Sequence, residues 1–181
     1  MPTKREAAVV LAIYADPPHH VVFVERARHL RDHPGQIGLP GGSADAADGD
    51  DRARTALREL EEEVGIPPSR ITLVGRLPQI VQRSNAFSVA PFVGIVQPGT
   101  RLAIDEAETA AVFTIPLAAI LAPKAVHEGI ERVDDLAIAT YHFDYRDRHI
   151  WGLTGRMLFA FARAWETNDP LRAAVEGALE R

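Results

Sequence analysis

Cysteine is absent from the 181 residues, which excludes disulfides, thiolate metal sites and cysteine nucleophiles together. Long apolar runs are also missing, and none approaches the ~18 residues that a membrane span needs. Positive charge is in short supply: 20 Lys and Arg stand against 25 Asp and Glu, for a net charge of −5. Wholesale nucleic-acid binding usually needs a basic footprint that this balance lacks, although a local group of arginines can still grip a phosphate-rich small molecule. The stretch "MPTKREAAVV" starts basic, but Asp16 and two prolines break its apolar continuation. It reads as a first strand, not a signal peptide. These absences fit a cytoplasmic enzyme with a small-molecule substrate and neither a membrane nor a nucleic-acid partner.

What is present is ordinary for a soluble fold, with 46% apolar and 25% charged residues. The length suits one domain over 1–181 with a substantial core. "AAVVLAIY" (7–14) and "HVVFVER" (20–26) are β-branched-rich runs separated by a two-proline turn, and read as two strands of one sheet. The next stretch, "HPGQIGLPGG", is loop-like. Further strands are expected over 71–77, 86–96, 111–115, 138–145 and 149–151. "DDRARTALRELEEEVGI" reads as a helix with an acidic start, ended by Gly65 and Pro67. Helical periodicity returns over 153–165 and 170–180. Strands that precede and flank a few helices predict an α/β (α+β) architecture, a mixed sheet sandwiched between helical layers.

The segment "RELEEEVGI" (58–66) concentrates negative charge. At about 100° per residue, Ala53, Leu57, Leu60 and Val64 share a stripe expected to face the sheet. Glu59, Glu62 and Glu63 fall on the far side, and Glu61 points elsewhere. On a solvated helix, like charges at i,i+4 cost only about 0.2–0.5 kcal/mol. In a groove, two carboxylates ~6 Å apart at an effective dielectric of ~20 repel by roughly 3 kcal/mol. The residues by themselves allow both a solvated acidic face and a cleft that holds a divalent cation.

The neighbours of this helix carry a resemblance. From Gly42 to Ile66 the sequence is similar to the Nudix box, G-x5-E-x7-R-E-U-x-E-E-x-G-U, where U is aliphatic. Arg58, Glu59, Leu60, Glu62, Glu63, Gly65 and Ile66 take the named places of its second half. The first half departs from the pattern. Asp48 stands at the place of its glutamate with nine residues between it and Arg58, whereas Asp50 keeps the seven-residue spacing. The resemblance implies that Glu59, Glu62 and Glu63 hold Mg²⁺ or Mn²⁺, with the Gly41 carbonyl as a further ligand. Arg58 would steer a glutamate by charge-assisted hydrogen bonding, and a helix carboxylate or a loop acid would accept the proton of the attacking water.

The stretch before the box resembles the signature of the coenzyme A pyrophosphatase branch, L-L-T-x-R-[SA]-x3-R-x3-G-x3-F-P-G-G. Arg26, Ala27, Arg31, Gly35, Pro40, Gly41 and Gly42 match, while Val24 and Leu39 replace the threonine and phenylalanine. The resemblance implies hydrolysis of the diphosphate of coenzyme A or a derivative, giving 3′,5′-ADP and 4′-phosphopantetheine or its acyl form. Coenzyme A carries a diphosphate and a separate phosphate, and guanidinium groups grip phosphate oxygens bidentately. Arg26, Arg28 and Arg31 are therefore candidate substrate contacts, with Gln36 and Gly42; a solvated basic loop is the competing reading. Two other readings are a Nudix enzyme for another nucleoside diphosphate derivative, such as ADP-ribose or NADH, and a non-catalytic binding module.

Glu108 and Glu106 precede a strand where Nudix enzymes often place an auxiliary acid. Arg83, Ser84 and Asn85 form a polar loop that can face substrate. Trp151 suits either an adenine stack or the core. His29 and His33 are spaced i,i+4, but without a third ligand nearby they do not make a zinc site.

Overall fold

The structure is a computed structural model that describes residues 5–29, 33–82, 87–104, 109–133, 135–167 and 170–181. In chain order the strands are β1 (Arg5–Tyr14), β2 (His20–Arg26), β3 (Ile37–Gly38), β4 (Gly41–Ser43), β5 (Ile71–Arg76), β6 (Ile80–Gln82), β7 (Phe87–Val96), β8 (Thr109–Pro116), β9 (Val126–Val133), β10 (Leu136–Tyr145) and β11 (Arg148–Trp151). The α-helices are α1 (Arg52–Val64), α2 (Leu117–Ile120), α3 (Gly152–Glu166) and α4 (Pro170–Leu179).

The apolar run of β1 explains its place at the centre. A strand apolar at successive positions must be covered on both faces. Ala7, Leu11 and Ile13 join one core cluster, and Ala8, Val10 and Ala12 join the other. β1 pairs with β7 in parallel and with β2 and β4 antiparallel, so the main sheet is mixed. Its spine runs β3-β2-β1-β7-β5, with β8 on β2 and β6 on β7. On one face lies α1, whose Ala56, Leu60 and Val64 meet Ala8, Val10 and Val22. The opposite face is covered by Met157, Leu158 and Phe161 of α3 and Leu171 and Val175 of α4. Phe143 and Ile150, from a separate β11-β10-β9 sheet, enter that same cluster. The expected sandwich is the one observed. The two sheets are also tied by an ion pair between Arg148 and Glu25, with the Arg148 guanidinium 4.5 Å from the centroid of Phe113. Among the described residues, no helix is long and apolar enough to cross a membrane.

Three local features differ from the sequence pattern. β9, "VHEGIERV", lacks clean alternation and includes a glycine; it is a strand because it pairs with β10 from Val126 to Val133. The Gly-Pro segment expected as loop contains β3 and β4, which exist by docking on β2 and β1. On α1 the buried side is rotated from the expected stripe. Ala53 and Leu57 are half-buried, whereas Thr55, Ala56, Leu60, Glu63 and Val64 are buried. The reason is that β4 packs over the acidic side of the helix, so Glu63 turns inward instead of lying on a solvated far face.

Candidate active site

The start and end of α1 are fixed by local chemistry. Asp51 caps it, its carboxylate accepting from the Ala53 N–H at 2.9 Å. Gly65 closes it in the left-handed region, φ 71°, with its N–H donating to the Glu61 carbonyl at 2.9 Å. Between these ends the helix presents Glu59, Glu62 and Glu63 to β4. Together with Arg26, Gly41, Gly42 and Ser43 they line a cavity of about 450 Å³.

Glycine is required where the helix meets β4. Gly41 has φ 149°, and a Cβ there would stand 2.5 Å from Val9 Cα. At Gly42 a Cβ would stand 2.6 Å from the Glu59 carboxyl carbon. The Pro-Gly-Gly turn thus brings bare backbone against β1 on one side and the carboxylates on the other. The Gly41 N–H donates to Glu63 Oε2 at 2.8 Å, which fixes one oxygen of that buried carboxylate.

Arg58 organises the remaining acids. Its Nη1 donates to Glu62 Oε2 at 2.8 Å and lies 2.9 Å from Glu59 Oε1. Its Nε and Nη2 grip the two oxygens of Asp48 at 3.1 and 2.9 Å, and Nη2 also reaches the Ser43 carbonyl at 3.0 Å. Of the two aspartates that compete in the sequence, Asp48 is the buried one that meets Arg58, and Asp50 is exposed. Asp48 also accepts from the Asp45 N–H at 2.9 Å. The Arg58 hydrogen bond, then that backbone bond, hold the Asp48 carboxyl well below the usual carboxylate range. The same pairing, with help from Glu59 and Glu62, pushes Arg58 above its ordinary value. Arg58 is therefore a fixed cation that sets the spacing of the acids around it.

The donor chemistry fits a hard divalent cation. Three carboxylates line one cavity together with the backbone of Gly41, Gly42 and Ser43, and the donors they offer are oxygens. Among the described residues, no imidazole or thiolate lines this cavity.

A second cavity, of about 370 Å³, shares Arg26 with the first. Its lining is mostly apolar, with Val9, Ile37, Leu39, Ile138, Trp151 and Met157 among the side chains, and Gln36 and His33 as polar members. Gln36 is brought there by a backbone clasp: its carbonyl accepts from the Arg26 N–H at 3.0 Å. The structure thus gathers Arg26, Gln36, Gly41, Gly42, Glu59, Glu62 and Glu63, with Arg58 behind the carboxylates. Arg28 is exposed and lines neither cavity. Arg31, Glu106, Glu108, Arg83, Ser84 and Asn85 lie outside the described residues.

Sequence reasoning missed His33, Ile138, Thr154 and Met157 as lining residues. Met157 carried only the signal of a core helix position, and it does sit in the core cluster while one side faces the cavity. Ile138 reaches the cavity from β10 of the small sheet, which no local pattern announces.

Comparison with known proteins agrees with this geometry. A family model described as NUDIX domain matches residues 3–136. The protein of Photorhabdus laumondii named "Uncharacterized Nudix hydrolase NudL" is 36% identical over 159 residues, covering 88% of this chain and 84% of that protein. Its namesake in Yersinia pestis is 36% identical over 156 residues, covering 86% and 77%. Among solved structures, the NUDIX domain of Shewanella oneidensis NrtR, complexed with ADP ribose, matches with a TM-score of 0.53 at 21% identity, over 67% of this chain and 78% of that one. The MutT/nudix family protein of Enterococcus faecalis matches with a TM-score of 0.60 at 13% identity, over 97% and 68%. At these identities the two structures bear on fold alone. With an acidic helix folded onto a glycine strand, a family model matching most of its length and relatives matching nearly all of it, this chain belongs to the Nudix hydrolase family.

Proposed function

We propose that the chain hydrolyses the diphosphate of coenzyme A or one of its derivatives, releasing 3′,5′-ADP and 4′-phosphopantetheine or its acyl form. Glu59, Glu62 and Glu63, with the Gly41 carbonyl, would hold Mg²⁺ or Mn²⁺. When bound, the cation supplies neutralisation of the diphosphate and a lower pKa for the attacking water. Arg58 Nη1 holds Glu59 and Glu62 in place for that task, while the Gly41 N–H holds Glu63. A cavity carboxylate takes the water's proton as the P–O–P bond breaks.

The observation that carries the reading is Arg26, which lines both the acidic cavity and the apolar one. A guanidinium at that junction suits a substrate with a diphosphate at one end and a long, partly apolar arm at the other. The volume of the apolar cavity falls in the range usual for small-molecule sites, about 300–1,000 Å³. Gln36 and Trp151 flank that arm. Arg31 joins the proposal on the sequence signature alone. Because Arg26 lines both the cavity of the box residues and the one lined by Ile138, Trp151 and Met157, residues 1–181 are proposed to act as one domain.

Product analysis tests this directly. Coenzyme A, dephospho-coenzyme A, acyl-coenzyme A, ADP-ribose and NADH are incubated with the protein in Mg²⁺ or Mn²⁺. Coenzyme A compounds should turn over fastest, yielding 3′,5′-ADP. A clear preference for ADP-ribose or NADH would replace the substrate assignment while leaving the cleft chemistry standing. Glu62→Gln should remove most activity without lowering thermal stability, since Glu62 is exposed and the change relieves repulsion. Near-full turnover of that variant in saturating Mg²⁺ would refute the carboxylate assignment.

A further inference from the structure

Away from the acidic cleft, β9, β10 and β11 each send one donor to a common point. Glu131, His142 and His149 place donor atoms within 4.8 Å of one another. Strand register accounts for the convergence. Glu131 lies opposite Ile138, His142 opposite Trp151, and Asp144 opposite His149. Directly opposite residues in antiparallel strands project from the same face.

His149 meets a carboxylate at each ring nitrogen, and His142 stands beside Glu131 without bonding to it. His149 Nε2 is 3.0 Å from Glu131 Oε2, while its Nδ1 lies 2.6 Å from Asp144 Oδ1. A metal-bound imidazole almost always gives its other ring N–H to a carboxylate, carbonyl or water. His142 is only 6% exposed. Its Nδ1 stops 3.8 Å from Glu131 Oε2, beyond hydrogen-bond reach, and its Nε2 is buried without a partner among the described residues. Nδ1 is thus the ring nitrogen that His142 turns toward Glu131. Space for the ring is kept by Gly129, where a Cβ would stand 2.6 Å from His142 Cδ2.

We propose that Glu131, His142 and His149 form a second metal site, for a zinc-class divalent ion. Ligands at ~2.0–2.1 Å in a tetrahedron are about 3.3 Å apart, and the 3.0 and 3.8 Å separations to Glu131 straddle that value. Two imidazoles and one carboxylate favour Zn²⁺, Co²⁺ or Ni²⁺, whereas the all-oxygen cleft favours Mg²⁺ or Mn²⁺. Asp144 acts as a positioning residue for His149. With one ligand per strand, the ion staples the three-stranded sheet. Ile138 and Trp151 stand on that same face and line the apolar cavity, so the staple also holds one cavity wall. A charged His149 bridging Asp144 and Glu131 is the rival account, and it leaves His142 Nδ1 facing Glu131 without a bond to it.

The test uses the full chain, stripped of metal by a chelator and titrated with Co²⁺ and then Zn²⁺. Wild type and Glu62→Gln should each take up one equivalent of Co²⁺ with the intense visible bands of four-coordinate cobalt, and Zn²⁺ should bleach them. His149→Ala should lose those bands. Asp144→Asn should weaken Zn²⁺ binding about 10–100-fold by calorimetry. Both substituted positions are exposed, and circular dichroism checks that each variant folds. Only six-coordinate Co²⁺ spectra in wild type, or bands retained in His149→Ala, would overturn the proposal. Zinc binding lost in Glu62→Gln but unchanged in His149→Ala would move the ion to the acidic cleft and overturn it too.

Discussion

At position 58 one guanidinium serves Asp48, Glu59, Glu62 and the Ser43 carbonyl. A lysine, a single point charge, cannot reproduce that fork. The pair with Asp48 gives a pH signature whose sign is determined. The folded chain holds the Asp48 carboxyl below its ordinary value, so as pH falls the unfolded chain takes up this proton first, from about pH 4. Stability supplied by the pair is complete above roughly pH 5 and is lost as the pH falls toward the folded value. Denaturation midpoints of wild type and Asp48→Asn should therefore converge in acid and separate near neutrality. Parallel acid profiles for the two proteins would mean that the pair contributes nothing. Glu63 differs from its neighbours in that one oxygen is held by the Gly41 N–H. Its acceptor role survives in Glu63→Gln, so that variant should keep its melting temperature and lose turnover.

At the scale of elements, α1 reconciles two demands, a buried apolar side and an acidic side that meets a strand. Leu60 is fully buried and Leu57 is not. Leu60→Ala should cost about 2–5 kcal/mol in urea denaturation, and Leu57→Ala clearly less. Equal costs would restore the stripe expected from helical spacing alone. The difference between that stripe and the observed one has a physical origin. Periodicity locates an apolar face but not the strand that will cover the polar one, and here β4 turns Glu63 inward. Legibility followed locality throughout. β1, β2, β7, α1 and α3 carry their pattern within a few residues and were readable, as were the glutamates of the box. β4 and β9 depend on partners elsewhere in the chain, so their strand character is invisible locally. The choice between Asp48 and Asp50 likewise turned on a contact ten residues away from Arg58. Glu131, His142 and His149 were missed for the same reason: their convergence exists only once β9 is a strand.

For the whole molecule, the proposed reaction assigns its substrate to two cavities that lie in two layers of the fold. The acidic cavity is built on α1 and β4, and the apolar one largely on β3, β11 and α3. Substitutions should separate accordingly. Trp151→Ala should raise KM for coenzyme A several-fold with kcat little changed, whereas Glu59→Gln should lower kcat. Steady-state kinetics of the pair decides it, and a kcat loss in Trp151→Ala equal to that of Glu59→Gln would dissolve the division. The parallel pairing at the centre of the sheet bears on how the chain is made. Arg5 is registered with Phe87, 82 residues further along the sequence. At synthesis rates of about 5–20 residues per second, β1 leaves the ribosome roughly 4 to 16 s before its parallel neighbour exists. During that interval one of the most apolar strands in the protein has β2 and β4 for company and an open edge on its other side. The central strand of the finished fold thus spends seconds of synthesis as an apolar strand with one unpaired edge, a state open to aggregation.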